Sequence, residues 1–321
     1  MQATRRQWLL WGAGTVAAAA GISGCAHSPA PGVSTPGTSA GFSRHRVGNA
    51  RVVALSDGVG RRPLAEGFVR NAKLAQVQAA LAAQDLPTDY LDVPYTCFVL
   101  EVDGKRYLLD TGFADNGPAG TGQLLTHMRA AGIDPKSIDA VVLSHLHGDH
   151  VNGLRRKDGS LVYPQALVYV PAPEHAYWMD EERRNAAPEA ARGGFNAVQR
   201  VFQNYPADQL RLFEPGMAVV GGIESIAAFG HSPGHTALAL RSGNERFTYL
   251  GDTAHFPALF VRNPDWQVQF DMDPAQARST RHAMLARMAQ EGGLVGGFHF
   301  PMPSLGRIRK RGDGYEWLPE R

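Results

Sequence analysis

The sequence predicts an α/β fold: one domain over residues 44–321, built as a sandwich of two mixed β-sheets with helices on its outer faces. From Arg51 onward, short β-branched runs bounded by turn residues alternate with helix-like segments. Within those segments, apolar residues recur three and four positions apart. In addition, VLEVDGKRYLLDTG (99–112) is echoed by LALRSGNERFTYLGDT (238–253), each an apolar run, a turn with glycine, a second apolar run and then an aspartate. Two related halves would place Asp110 and Asp252 at equivalent strand ends; two unrelated hairpins of similar make are the alternative.

The elements follow in chain order. Residues 1–24 carry Arg5 and Arg6 and then the apolar, alanine-rich stretch Trp8 to Ile22, the pattern of an export signal. That stretch is shorter than the ~20 residues that span a bilayer as a helix, although an uncleaved anchor is the alternative. TRRQWLL resembles a twin-arginine signal. Ile22-Ser23-Gly24-Cys25 resembles a lipobox, which would leave Cys25 as the lipidated first residue on the periplasmic side of a bacterial membrane. Residues 25–43, rich in Pro, Gly, Ser and Ala, read as a flexible tether.

Strands are expected at Val52 to Leu55, Thr96 to Val102, Tyr107 to Leu109, Ala140 to Leu143, Leu167 to Val170, Ile223 to Phe229, Ala237 to Leu240 and Phe247 to Leu250. Helices are expected where Leu74, Val77 and Leu81 share a face, likewise Leu124, Leu125 and Met128 before Gly132, and Met284, Leu285 and Met288.

The composition is that of a globular chain, 44% hydrophobic and 19% charged, with a formal charge of +2 that offers no basic excess for holding nucleic acid. Loss of residues 1–24 removes two arginines and no acidic residue, so the mature chain carries no formal net charge. Cys97 then has no cysteine within the domain to pair with, and stability must rest on the core or on metal.

Residues 144–150 read SHLHGDH, directly after the apolar run Ala140 to Leu143. Neighbouring side chains on a strand point to opposite faces, so His145, His147, Asp149 and His150 converge only if the backbone turns at the strand end, which Gly148 permits. Imidazole and carboxylate without thiolate is the donor set of zinc, iron or manganese sites that stay open to substrate. Three further positions, Gly234-His235, Gly251-Asp252 and Phe298-His299, follow or adjoin strand-like runs. The remaining histidines, His27, His45, His127, His175 and His282, read as solvated.

LSHLHGDHVNGL, HSPGHT, LGDT and the histidine of FHFP together resemble the metallo-β-lactamase superfamily in its dinuclear hydrolase form, over nearly all of residues 46–318. The resemblance implies a four-layer αβ/βα sandwich. It implies two divalent ions, zinc first and iron, manganese or cobalt as alternatives: one held by His145, His147 and His235, the other by Asp149, His150 and His299, with Asp252 bridging. His231, four residues before His235, is set aside because the family pattern selects the histidine after Gly234. Asp110 in LLDTG matches the family's structural acidic motif.

VVALSDG, PYTCFVLEV, HFPMPSLGRI and GYEWLP further resemble methyl parathion hydrolase and quorum-quenching lactonases. That resemblance implies hydrolysis of a lactone or ester, with an aryl phosphotriester as a side activity, by a metal-bridging hydroxide that Asp149 helps to orient. It places Trp178 and Phe195 in the substrate pocket, although each is equally readable as core. It finds no equivalent of a third pocket aromatic in DTGFADNGPAG. His255, three residues after Asp252, would assist the substrate carbonyl.

The partner expected is a small molecule, with membrane contact through Cys25; a homodimer stays open. One alternative is a thioesterase like glyoxalase II, for which Arg307, Arg309, Lys310 and Arg311 would hold an anionic substrate. Others are a sulfur dioxygenase, a non-catalytic metal-binding lipoprotein, and a serine hydrolase using Ser232 of GHSPG. The last is disfavoured because Pro233 and a strand, rather than a helix, follow the serine.

Overall fold

The computed structural model describes residues 41–320. The export signal, Cys25 and the tether up to residue 40 lie outside the described residues. Among those described, no helix is long and apolar enough to cross a membrane.

Two seven-stranded sheets form the sandwich. The first holds β1 (Phe42–Val47), β2 (Ala50–Pro63), β3 (Tyr90–Val102), β4 (Lys105–Leu109), β5 (Ala140–Val142), β6 (Leu167–Pro171) and β7 (Leu210–Phe213), in that spatial order. The second holds β8 (Ala218–Val220), β9 (Ile223–Ala227), β10 (Thr236–Ser242), β11 (Glu245–Tyr249), β12 (Leu294–Gly296), β13 (Leu305–Arg311) and β14 (Gly314–Pro319), also in chain order. Both sheets are mixed. The β3–β4 hairpin is antiparallel and β4 runs parallel to β5, while the β10–β11 hairpin is antiparallel and β11 runs parallel to β12. The echoed segments therefore occupy equivalent places, with Asp110 and Asp252 just beyond β4 and β11.

The core lies between the sheets. Phe98 of β3 meets Phe247 and Tyr249 of β11 with ring centroids 5.6 Å and 5.2 Å apart. A Cβ at Gly296 would lie 2.8 Å from Phe98, so glycine on β12 lets the sheets close. Truncating a phenylalanine in such packing costs about 3–5 kcal/mol.

The helices are α1 (Leu74–Ala82), α2 (Leu124–Ala130), α3 (Gly148–Val151), α4 (Ala172–Trp178), α5 (Glu181–Ala186), α6 (Glu189–Phe202) and α7 (Pro274–Glu291). Of the expected apolar faces, Val77, Leu81, Leu124, Met128, Met284, Leu285 and Met288 are buried. α7 starts where the Asp273 carboxylate accepts the Gln276 N–H at 3.0 Å and stops at Gly292 with φ 64°.

Some boundaries differ from expectation. Phe42 and Ser43, assigned to the tether, already pair with Leu55 and Ala54 of β2. β2 continues past Leu55 to Pro63 through an irregularity between Ser56 and Gly58, where the sequence SDGVG reads as a turn. In β13 and β14, Arg307, Arg309 and Arg311 face outward with their acidic partners, so no apolar run marks these strands.

Candidate metal centre

β5 ends at Val142, and the chain bends at Ser144 and again at His147 (φ −66°, ψ 153°) before α3 begins at Gly148. Asp149 and His150 thus sit on a helical turn rather than in a loop. Gly148 is not in the left-handed region; a Cβ there would come 2.9 Å from Asn152 Nδ2, so crowding is what favours glycine.

Two groups of donor atoms converge at the mouth of the sandwich. In the first, His147 Nδ1 lies 3.1 Å from His145 Nε2 and 2.9 Å from His231 Nε2. In the second, Asp149 Oδ2 lies 3.7 Å from His150 Nε2 and 3.5 Å from His299 Nε2. Asp252 stands between them, with Oδ1 3.4 Å from His150 Nε2 and Oδ2 3.2 Å from His299 Nε2 and 3.3 Å from His231 Nε2.

The expected ligand His235 is not in either group, and His231 takes its place. His235 Nδ1 donates to the Ala228 carbonyl at 2.9 Å and Nε2 accepts the Asp252 N–H at 2.9 Å, which leaves no lone pair free. The residue abuts β10 and packs so tightly that a Cβ on Gly251 would lie 2.7 Å from its Nε2. His231 keeps Nε2 toward the cluster because Asp271 Oδ1, 3.0 Å away, engages Nδ1. The legible signal was distance from the strand: a histidine directly against Thr236 is drawn into the sheet.

Each ring is fixed from behind. Asp110, held at φ 56°, accepts from the Ser144 N–H at 2.7 Å, the Ser144 hydroxyl at 2.6 Å, the Tyr249 hydroxyl at 2.5 Å and His150 Nδ1–H at 2.7 Å. Aspartate enters the left-handed region more readily than most residues, and here four donors hold it there. His299 Nδ1–H donates to the Pro94 carbonyl at 2.9 Å. Asp271 Oδ2 is balanced by Arg281, a fully buried guanidinium 3.0 Å away that also donates to the Thr253 carbonyl.

The two groups have opposite electrostatics. Burial, with the neighbouring imidazoles, pushes His147 down to about 3. Burial also carries His231 to about 4 despite Asp271, and holds His145 well below its ordinary value. On the other side burial is outweighed by Asp252, Asp149 and Asp110, which hold His150 well above the ordinary range, and His299 is raised the same way by Asp252 and Asp149. Lone pairs facing one another on one side call for a cation, and on the other side the protons that the carboxylates hold on the imidazoles stand where a second cation would sit. His150 Nε2 and Asp252 Oδ1 are buried without a hydrogen-bond partner. The donors present fit two nitrogen- and oxygen-ligated divalent ions.

A cavity of about 420 Å³ opens over the cluster, with Val93, Phe113, Pro118, Phe256 and Phe270 among its walls. His255 lines it, almost fully buried, with Nε2 3.2 Å from Asp252 Oδ2 and neither ring nitrogen hydrogen-bonded. Trp178 and Phe195, expected in this pocket, do not line it. They are 6% and 3% exposed; the Trp178 ring backs His147 at 5.7 Å and Phe195 packs on Trp178 at 4.9 Å. The wall aromatic found instead is Phe113, in the very stretch where no equivalent was expected. A larger groove of about 750 Å³ lies beyond Phe256 and holds none of the donor groups. The basic residues considered for a thioesterase lie on β13, where Arg307 pairs with Glu320 and Arg311 with Glu316; none lines the cavity over the cluster.

The model of the metallo-beta-lactamase superfamily matches residues 90–299. An N-acyl homoserine lactonase of Bacillus sp is 25% identical over 175 residues, a stretch that spans 49% of this chain and 62% of that relative's length. AidC, a dizinc quorum-quenching lactonase solved in complex with a product, N-hexanoyl-L-homoserine, is 26% identical with a TM-score of 0.82, covering 88% of this chain and 98% of that one. AbOPH, a hydrolase in the beta lactamase superfamily, is 25% identical with a TM-score of 0.81 over the same shares of the two chains. With the matched segment running from the start of β3 to the last histidine of the cluster, and the two-sheet sandwich shared with these structures, the chain belongs to the metallo-β-lactamase superfamily.

Proposed function

We propose that the protein is a dinuclear metal-dependent hydrolase that opens lactones or esters carrying an apolar tail. The observation that carries this is the pair of donor groups joined by Asp252 beneath a cavity with an apolar wall. His145, His147 and His231 would hold one ion, Asp149, His150 and His299 the other, with Asp252 shared and zinc the first choice, as in the dizinc relative. Bound there, the ions would supply a water that ionises near neutral pH and a Lewis-acid pull on the scissile carbonyl. Asp271, Asp110 and the Pro94 carbonyl fix the donor tautomers of His231, His150 and His299. His255, whose ring nitrogens have no hydrogen-bond partner, would donate a hydrogen bond to the carbonyl oxygen and relay the proton released by the attacking water to the leaving alkoxide. Phe113, Phe256 and Phe270 take the tail. The likeness to N-acyl homoserine lactonases supports a lactone of that kind.

An aryl phosphotriester is the second substrate class, favoured by Phe113 in the wall. His255→Ala separates the two. Lactone turnover should fall by ~10²-fold, the scale of one positioned acid-base group, while metal content stays the same and phosphotriester turnover, with its weakly basic leaving group, changes much less. Equal losses on both substrates would remove His255 from the reaction. From the sequence we also propose export and lipidation at Cys25; Cys25→Ser should move the full-length protein from the membrane to the soluble fraction, and continued sedimentation with membranes would refute the anchor.

A further inference from the structure

The structure also holds a buried acid that none of the chemistry above uses. Glu174, on α4, has no exposed surface and no lysine or arginine partner among the described residues. Burying a carboxylate without a cation is costly unless hydrogen bonds replace its water. Here four donors do so. Oε1 accepts the Ser232 hydroxyl and the Gly234 N–H, each at 2.6 Å, and Oε2 accepts the Leu146 N–H at 3.0 Å and the Trp178 indole N–H at 2.9 Å.

The positions of those donors give the acid its meaning. Leu146 lies between His145 and His147, on the segment leaving the first sheet; Ser232 adjoins His231, on the turn entering the second. A single carboxylate therefore ties together the two backbones that present one donor group. The neighbouring tie between these backbones is the Thr236 N–H to the Ser144 carbonyl at 2.9 Å. The approach of α4 depends on glycine at 234, where a Cβ would lie 2.7 Å from the Glu174 amide nitrogen. The second group is held otherwise, by Asp110 behind His150 and the Pro94 carbonyl behind His299, and neither touches Glu174.

We propose that Glu174 is a positioning residue that sets the spacing of His145, His147 and His231, and so tunes one ion site and not the other. The inference rests on the dinuclear assignment above. Glutamine cannot replace the acid, because its amide NH₂ would face donors on one side whichever way it turned, leaving the Gly234 N–H or the Leu146 and Trp178 N–H groups unpaired.

The test uses full-length protein, zinc and a competing chelator. Wild type should bind two ions; one ion only would overturn the dinuclear assignment itself. On a His299→Ala background the tighter remaining ion sits at the three-histidine group, and adding Glu174→Gln should weaken it by about 10- to 100-fold. On a His231→Ala background, where the other group remains, the same substitution should change affinity less than about twofold. Equal weakening on both backgrounds, or none on either, would overturn the role of Glu174. If Glu174→Gln does not fold, Ser232→Ala removes one of the four bonds and should shift the same ion, by a smaller factor. The metal-free melting temperature of each variant separates a general loss of stability from the site-selective effect.

Discussion

The segment leaving β5 and the turn entering β10 each bring histidines to the same cluster, and they differ in how much the sequence alone determines. After β5, His145, His147, Asp149 and His150 all reach donor positions, because four such groups in six residues leave the backbone little choice. In HSPGH, two histidines flank a Ser-Pro-Gly turn, and only the backbone decides between them. The strand takes His235, whose nitrogens serve the Ala228 carbonyl and the Asp252 N–H, and the free turn offers His231. Residue type identifies the chemistry, whereas the distance from the nearest ladder decides which residue performs it.

Exchanging the two histidines' fates is the strongest way to break that contrast. His231→Ala should cost one ion and on the order of 10³-fold in turnover, since an ion's Lewis-acid action is worth several kcal/mol. His235→Gln should keep both ions. Loss of an ion from the His235 variant, with the His231 variant still holding two, would reverse the assignment; elemental analysis of both proteins reads it directly.

Acid should act on His235 through stability. Burial drives its pKa down to about 4, so the folded chain leaves it neutral at pH values where the unfolded imidazole, at 6.5, is already protonated. The stability this represents is complete above pH 6.5 and is lost as pH falls through about 4, amounting to roughly 3 kcal/mol. Denaturant titrations of metal-free protein at pH 7 and pH 4.5 should therefore show a smaller acid loss for His235→Gln than for wild type. Equal pH slopes would mean that His235 is not buried neutral.

The smallest expected effect sharpens the same lesson for the aromatics. Phe113→Ala should raise KM for a long-tailed lactone by about tenfold, the order of one uncovered apolar contact, with little change in melting temperature. Phe195→Ala should do the opposite, costing about 3–5 kcal/mol of stability with KM little changed. A large KM effect at Phe195 would put it back in the pocket.

The fold was legible wherever burial writes itself as an apolar run. β3, β4, β5, β6, β10 and β11 stood out as core strands, and the two echoed hairpins were consistent with paired sheets without deciding between related halves and chance likeness. β13 was hidden because alternate residues are arginines facing water, and the far half of β2 because its glycines imitate a turn. The donor types were legible too. The groups behind them were not: Glu174 and Asp271 are lone acids in sequence, and only the fold places them against Ser232 and His231. Phe113 was missed for the same reason, since the cavity wall it joins is made with residues distant from it in sequence, such as Val93, Phe256 and Phe270.

Each sheet is built from one unbroken half of the chain, residues 42–213 and 218–319, and the donor cluster lies on the seam between them. This fixes a timetable. During synthesis the first half carries His145, His147, Asp149 and His150, and the proposed ion sites are complete only once His231, Asp252 and finally His299 have emerged, when only the β13–β14 hairpin remains to be made. On the dinuclear reading proposed above, ion capture would be among the last events in the birth of the molecule, and the ions would act as a clasp between two halves made one after the other.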